Sequence, residues 1–278
     1  MKIVSLINMK GGVGKTTLAV NLADFISNRY KKKMLVVDVD PQFNATQCII
    51  SGDEYMKYIE RGGDTVIDVF DSTVKHSTSI VDGSSLQEPR PIDAIIPYKS
   101  KRGFDLLPSK LDLFRYEMAS GQGKELRLKH YLHSISEEYD ICIIDSPPTP
   151  SAWMASALIA SDYYLIPVKP DPISMTGIDL LEGIINEKRD NYGCHCECCG
   201  VVFTMVEKNT LVFRTAQSYF SSSKKWGKYL YTKMLPKRTD IARGQLSNVF
   251  IRDIDNSDLR AEFAGLAQEF LSRLGVEL

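Results

Sequence analysis

The segment Lys10-Gly11-Gly12-Val13-Gly14-Lys15-Thr16-Thr17 combines the residue types that hold a polyphosphate. Glycines let successive backbone N–H groups turn inward. Lys15 supplies a point charge for β- and γ-phosphates, and the Thr16 hydroxyl is placed to ligate Mg²⁺. The segment departs from the G-x-x-x-x-G-K-[ST] pattern because position 9 is Met, and it carries an extra lysine, Lys10, at its start. Carboxylates suited to the same chemistry recur at Asp38, Asp40 and Asp145. Clustered beside a triphosphate, they would repel it unless Mg²⁺ sits between. Asp145 is expected to hold the ion through water and Asp40 to orient an attacking water. Asp38 is expected at the metal as well, with plain strand termination as the competing reading.

These residues need rigid elements to bring them together. The apolar run Ile3 to Ile7 reads as a buried strand, and Leu18, Leu22 and Ile26 fall on one face of a following helix. The start of that helix adds unpaired N–H groups and a partial positive charge. Residues 34–40 form a second apolar strand stopped by Pro41, and a polar loop is expected over 40–46. Further strands are predicted at 94–97, 104–107, 141–145, 163–168 and 201–205. Helices are predicted at 65–70, 111–119, 126–135, 174–188 and 257–274. The alternation implies an α/β fold: a mostly parallel twisted sheet with helices on both faces, one domain over 1–278, and ligands at the C-terminal strand ends. The stretch Lys75 to Pro91, rich in Ser, Pro, Asp and Gly, reads as a surface excursion.

The chain has 278 residues, 44% hydrophobic and 25% charged, the profile of a soluble globular protein with a sizeable core. Its formal charge of −1 gives no global pull toward nucleic acid, so any such contact must come from a local patch. No apolar run approaches the ~20 residues that span a bilayer. The first residues read as a core strand rather than a signal peptide, so the cytoplasm is expected. Six cysteines in a chain this long do not suggest a disulfide framework. Cys194-His195-Cys196-Glu197-Cys198-Cys199 contains a crowded C-x-x-C. A metal shared with a second chain, redox chemistry, or a reduced loop before the 201–205 strand are open readings. Cys48 and Cys142 read as structural.

At these residues the chain resembles the ParA family of partition ATPases, in the deviant Walker-type group that also includes MinD. Lys10 to Thr17 is similar to the family's deviant phosphate loop, with Lys10 as its signature lysine. Asp38-Val39-Asp40-Pro41-Gln42 with Asn44-Ala45-Thr46 resembles its switch I, and Asp145-Ser146-Pro147-Pro148 its Walker B and switch II segment. Leu106-Leu107-Pro108-Ser109, Ile166 to Pro170 and Lys237 to Arg243 resemble further family segments. Phe43 departs from the glycine usual there, and Lys75 to Pro91 is longer than usual. The resemblance implies a P-loop NTPase fold, ATP and Mg²⁺ as ligands, and an ATP-bound homodimer. In that dimer Lys10 would reach the partner's phosphates, Asp40 would serve hydrolysis and Asp145 would serve Mg²⁺. Adenine contacts would come from Thr204 to Asn209 and from near Pro236.

The stretch Lys224, Lys225, Lys228, Lys233, Lys237, Arg238 and Arg243, interleaved with Trp226, Tyr229 and Tyr231, stands out in a nearly neutral chain. It reads as a solvated helix face plus a strand, or as a patch for phosphate contacts. The resemblance implies the second: non-specific DNA binding on the nucleoid, with a centromere-bound, ParB-like adaptor triggering hydrolysis during plasmid or chromosome segregation. Positioning of a protein cargo on the nucleoid is the alternative. No segment before the first strand is available for a helix-turn-helix, so operator recognition is not expected. The last residues, Ser272 to Leu278, are too short and too weakly basic for a membrane-binding helix of the MinD kind. An iron–sulfur reductase would need cysteines just after Asp145, and Ser146 to Met154 has none. A nucleotide-gated scaffold that does not hydrolyse is a further reading, separated by ATP turnover with and without DNA.

Overall fold

Short apolar runs stack side by side in this chain because each is hydrophobic on both faces. The computed structural model describes residues 1–71, 91–118 and 123–277. In chain order the elements are β1 Lys2–Leu6, α1 Lys15–Tyr30, β2 Met34–Asp38, α2 Asn44–Ile49, α3 Gly52–Glu60, α4 Val66–Phe70, β3 Tyr98–Lys99, β4 Asp105–Leu107 and α5 Leu113–Met118. They continue with α6 Lys124–Ser134, β5 Ile141–Asp145, α7 Ala152–Ala160, β6 Tyr163–Val168, α8 Pro172–Tyr192, β7 Glu197–Phe203, α9 Leu211–Ser222, α10 Thr239–Leu246 and α11 Ser257–Arg273.

The sheet has seven strands in the order β3-β4-β2-β5-β1-β6-β7. Every neighbouring pair is parallel except β3 with β4. β2 and β5 are buried at every position, as strands covered on both faces must be. Their side chains alternate between two cores. Leu35, Val37, Cys142 and Ile144 pack with Tyr131, Trp153 and Phe220 on one side. Met34, Val36, Ile141 and Ile143 pack with Leu18, Leu22, Phe263 and Phe270 on the other. The expected α/β fold, parallel sheet and two-sided helical cover are all present. No helix among the described residues is long and apolar enough to cross a membrane.

Several expected elements shift, for physical reasons. The strand expected at 94–97 is a 3-10 turn at Ile92–Ala94 followed by the two-residue edge strand β3. The polar loop over 40–46 ends early, because α2 begins at Asn44. α3 buries no residue, and its start is set by Ser51, whose side chain accepts the Glu54 N–H. α7 is buried almost all round, so it carries no amphipathic period. β7 starts at Glu197, which turns half of the cysteine-rich segment from the expected loop into strand. The excursion expected over Lys75 to Pro91 lies, apart from Pro91, outside the described residues.

Candidate functional site

Four loops converge where β1, β2, β4 and β5 end. Between β1 and α1 the chain turns through Gly12 and Gly14, whose φ angles of 69° and 80° favour glycine. Gly14 also lies against Thr204, whose hydroxyl donates to the Val13 carbonyl at 2.5 Å and fixes the turn beneath β7. α1 then starts at Lys15 with its free N–H groups directed at the loop. The Lys15 ammonium donates to the Asn8 carbonyl at 3.1 Å and is only 7% exposed. Burial lowers its pKa, while Asp145 and Asp40 pull the other way.

Asp145 closes β5 in register with Leu6 of β1 and Asp38 of β2. Its Oδ2 accepts the Thr16 hydroxyl at 2.6 Å. Its Oδ1 is buried with no hydrogen-bond partner. Burial raises this carboxyl to about 7. A buried, unpaired carboxylate oxygen beside a threonine hydroxyl is a hard-oxygen donor pair, the chemistry that suits Mg²⁺. Thr16 and Asp145 therefore fit the expected ion.

Asp38 does not share that arrangement. It is fully buried, and both of its oxygens are already used. Oδ1 accepts the Asp40 N–H at 3.1 Å, and Oδ2 accepts the Thr46 N–H and hydroxyl at 2.8 Å each. In this structure Asp38 holds Thr46 and the Asp40 N–H, and a cation reaching it would have to displace those donors. Burial and then Asp145 push the Asp38 carboxyl well up. Asp40 is 6% exposed and faces the same cavity as Lys15. Burial raises its carboxyl, against the lowering effects of the Gln42 N–H and Lys15.

The cavity over the loop measures about 620 Å³, within the usual range for a nucleotide-sized ligand. Gly11, Gly12, Val13, Gly14, Lys15, Thr16 and Thr17 form its floor. Its outer wall includes Gln42, Cys48, Ala242 and Gln245, together with Met205 from the stretch expected near adenine. Gln245 donates to the Thr17 hydroxyl at 2.8 Å, joining α10 to the phosphate loop. Asn209 and Pro236, also expected near adenine, do not line it. Asn209 is exposed beyond β7, and Pro236 pairs with Val206 in a parallel bridge. Lys10 lies at the loop's rim and forms an ion pair with Asp171 of its own chain at 2.6 Å.

The long basic stretch is divided by the sheet. Leu230 pairs with Val201 and Pro236 with Val206, so the intervening residues run alongside β7 in parallel. A strand-like run of that length spans roughly 20 Å. Lys224, Lys225 and Lys228 therefore lie near the entry of β7, lining a cleft with Glu197 and Cys198. Lys237, Arg238 and Arg243 lie past its exit, on the phosphate-loop side. The single patch expected from contiguity is thus two patches at opposite sheet ends. Several of these cations are partnered: Lys225 with Glu182, Lys237 with Glu207, and Arg238 in a fork with Asp240 at 2.7–3.0 Å. Among the described residues Arg243 makes no ion pair.

Around the cysteines, Cys194, Cys196 and Cys199 are buried and all six thiols are free. Burial pushes the Cys198 thiol up to about 11 and Cys196 and Cys199 higher. Among the described residues no group of three or more His, Cys, Asp or Glu side chains is placed to hold a metal.

Residues 1–195 match a family model described as an AAA domain, which is well over half of the chain. A protein of Methanocaldococcus jannaschii is 31% identical over 76% of this chain and 76% of its own length. The chromosome-partitioning ATPase Soj of Thermus thermophilus is 27% identical over 98% of this chain and 96% of its own. This chain belongs to the ParA family of ATPases. The ParA-type fold agrees: a Cyanothece McdA–ATP complex superposes with a TM-score of 0.79 at 21% identity, covering 100% of this chain and 98% of the other. α10 joins the wall of the cavity over Gly11 to Thr17 from a distant part of the sequence.

Proposed function

We propose that this protein is an ATP-dependent, dimerising partition ATPase that binds DNA without sequence preference and segregates plasmid or chromosome DNA in the cytoplasm, on the nucleoid. One observation carries the reading: the buried, unpartnered Asp145 oxygen beside the Thr16 hydroxyl, with Lys15 alongside beneath a glycine-rich turn.

In this reading the loop N–H groups and Lys15 bind the β- and γ-phosphates. Thr16 and Asp145 would hold Mg²⁺, which neutralises phosphate charge when bound. Asp40 orients the attacking water and takes its proton; burial raises its carboxyl and strengthens it as a base. Lys10 gives up Asp171 and reaches the phosphates of a second copy, adding positive charge to the transition state. Arg243 with Lys237 and Arg238 then contacts DNA phosphates, and Gln245 ties their helix to the nucleotide wall. Two such surfaces on one duplex raise affinity by avidity. A centromere-bound adaptor of the ParB kind accelerates hydrolysis and releases the dimer.

The experiment measures binding of unrelated DNA duplexes at several salt concentrations with ATP, with ADP and without nucleotide. Binding should need ATP and Mg²⁺, ignore sequence and weaken steeply with salt. Equal binding in all nucleotide states would remove the proposal. Sedimentation of Lys10→Ala with a slowly hydrolysed analogue should show nucleotide bound to a monomer.

A further inference from the structure

Asp40 is held by its peptide as well as by its side chain. Its N–H donates to Asp38 Oδ1 at 3.1 Å, and its carbonyl accepts the Ser109 hydroxyl at 2.9 Å. Thr46 joins the two anchors. Its N–H and hydroxyl both donate to Asp38 Oδ2 at 2.8 Å, while the same hydroxyl oxygen accepts the Ser109 N–H at 2.9 Å. Asp40, Asp38, Thr46 and Ser109 thus form a closed ring. Asp38, Thr46 and Ser109 are 0%, 1% and 0% exposed, so water does not compete for these bonds.

The ring follows from sheet topology. β2 and β4 are parallel neighbours, with Val37 opposite Leu107. Asp40 lies three residues past Val37 and Ser109 two past Leu107, where the ladder has ended and the backbone needs other bonds. Ser109 is further fixed from outside, because the Tyr55 hydroxyl donates to its carbonyl at 2.9 Å. None of Asp38, Thr46 and Ser109 lines the nucleotide cavity, whereas Asp40 does.

We propose that Ser109, acting with Thr46 and Asp38, is a positioning residue that sets the Asp40 carboxylate for hydrolysis by gripping its peptide at both ends. The proposal rests on the reading of Asp40 as the group that orients the attacking water. A catalytic group displaced by about 1 Å loses on the order of 100-fold in rate, so a grip on its backbone has a kinetic signature distinct from binding.

The test uses Ser109→Ala, Thr46→Val and Thr46→Ser in the full chain. Affinity for a fluorescent ATP analogue should stay within about twofold in all three, while kcat falls about tenfold or more in the first two. Thr46→Ser keeps the bridging hydroxyl and should recover most of the rate. In an Asp40→Ala background, Ser109→Ala should cost nothing further, since both act through one group. Without nucleotide, amide exchange over residues 39–46 should speed up in Ser109→Ala while residues 141–145 stay unchanged. Hydrolysis lost in Asp40→Ala but intact in Ser109→Ala and Thr46→Val overturns the role of Ser109 alone. Hydrolysis insensitive to Asp40→Ala overturns the reading of Asp40 and this proposal with it. Equal losses of affinity and kcat, or a full further loss in the Asp40→Ala background, also overturn it.

Discussion

The cavity over the glycine-rich loop and the basic stretch are opposites in how sequence distance maps onto space. The pocket gathers Lys15, Asp40, Asp145 and Gln245 from four segments of the chain onto one cavity and its rim. The basic stretch, contiguous from Lys224 to Arg243, is pulled to two ends of the sheet by the run alongside β7. Parallel strands bring their C-terminal ends together whatever lies between them in sequence, and an extended crossing segment separates its own ends. A functional cluster in this fold is therefore decided by strand ends, not by local charge density.

The comparison is broken most severely by Lys15→Ala. Removing the buried ammonium should weaken ATP binding by about 100-fold or more, roughly 2.7 kcal/mol. Titration with a fluorescent ATP analogue reads this directly, and unchanged affinity would mean that the convergent residues are not a nucleotide site.

Asp40→Ala comes next. Analogue binding should persist while single-turnover hydrolysis slows by roughly 100-fold. A dimer that accumulates with ATP, seen by light scattering, would accompany it.

The two basic ends can then be set against each other. Arg238→Glu with Arg243→Glu should cut ATP-dependent DNA affinity about tenfold or more and reduce the salt slope by about 2. Lys224→Glu with Lys228→Glu, at the far end of β7, should change affinity by no more than about twofold. The reverse ranking would relocate the DNA surface to the entry of β7.

The smallest effect is one of pH. Burial lifts Asp145 to about 7 in the folded, nucleotide-free chain, above the ordinary carboxylate value near 4. Between those values the folded state keeps a proton that the unfolded state has lost. This contribution to stability is fully present below about pH 4 and is lost as pH rises through about 7. Thermal unfolding at about pH 5 and about pH 7.5 should show it as a lower Tm at the higher pH, and Asp145→Asn should shrink the difference. A difference unaltered by Asp145→Asn would assign the effect to other groups.

Much of the fold was legible because its central strands are apolar runs that end abruptly. Ile141–Asp145 and Tyr163–Val168 match their expected bounds residue for residue. α7 was not legible, since a helix buried almost all round has no periodic face. The phosphate loop was legible from composition alone. The bonding of Asp38 was not, because it depends on Thr46 being carried back over β2 by α2, and Thr46 reads locally as one more polar loop residue. Phe43 is a middle case. Its departure from glycine was visible in sequence, but not that its backbone still adopts the left-handed φ of 43°. That conformation costs a residue bearing a Cβ about 1–2 kcal/mol. The ring stacked on Tyr55, with centroids 6.1 Å apart and planes at 17°, offsets part of it. Gln245 reaches the pocket only through tertiary packing, so nothing local marked it.

The run from Leu230 to Pro236 has a consequence for solubility. A bare parallel sheet offers a row of unpaired N–H and C=O groups at each margin, a template on which other chains can nucleate. Here the β7 margin is occupied in part by the chain's own return, with Tyr231 N–H and Leu235 N–H donating to the carbonyls of Val201 and Phe203. The opposite margin ends in β3, two residues long, where Lys99 forms an ion pair with Asp105. Neither margin is a long, flat, apolar strand. Copies of this protein at high local concentration therefore meet chiefly through side chains, and their backbones offer little that would fuse them into fibrils.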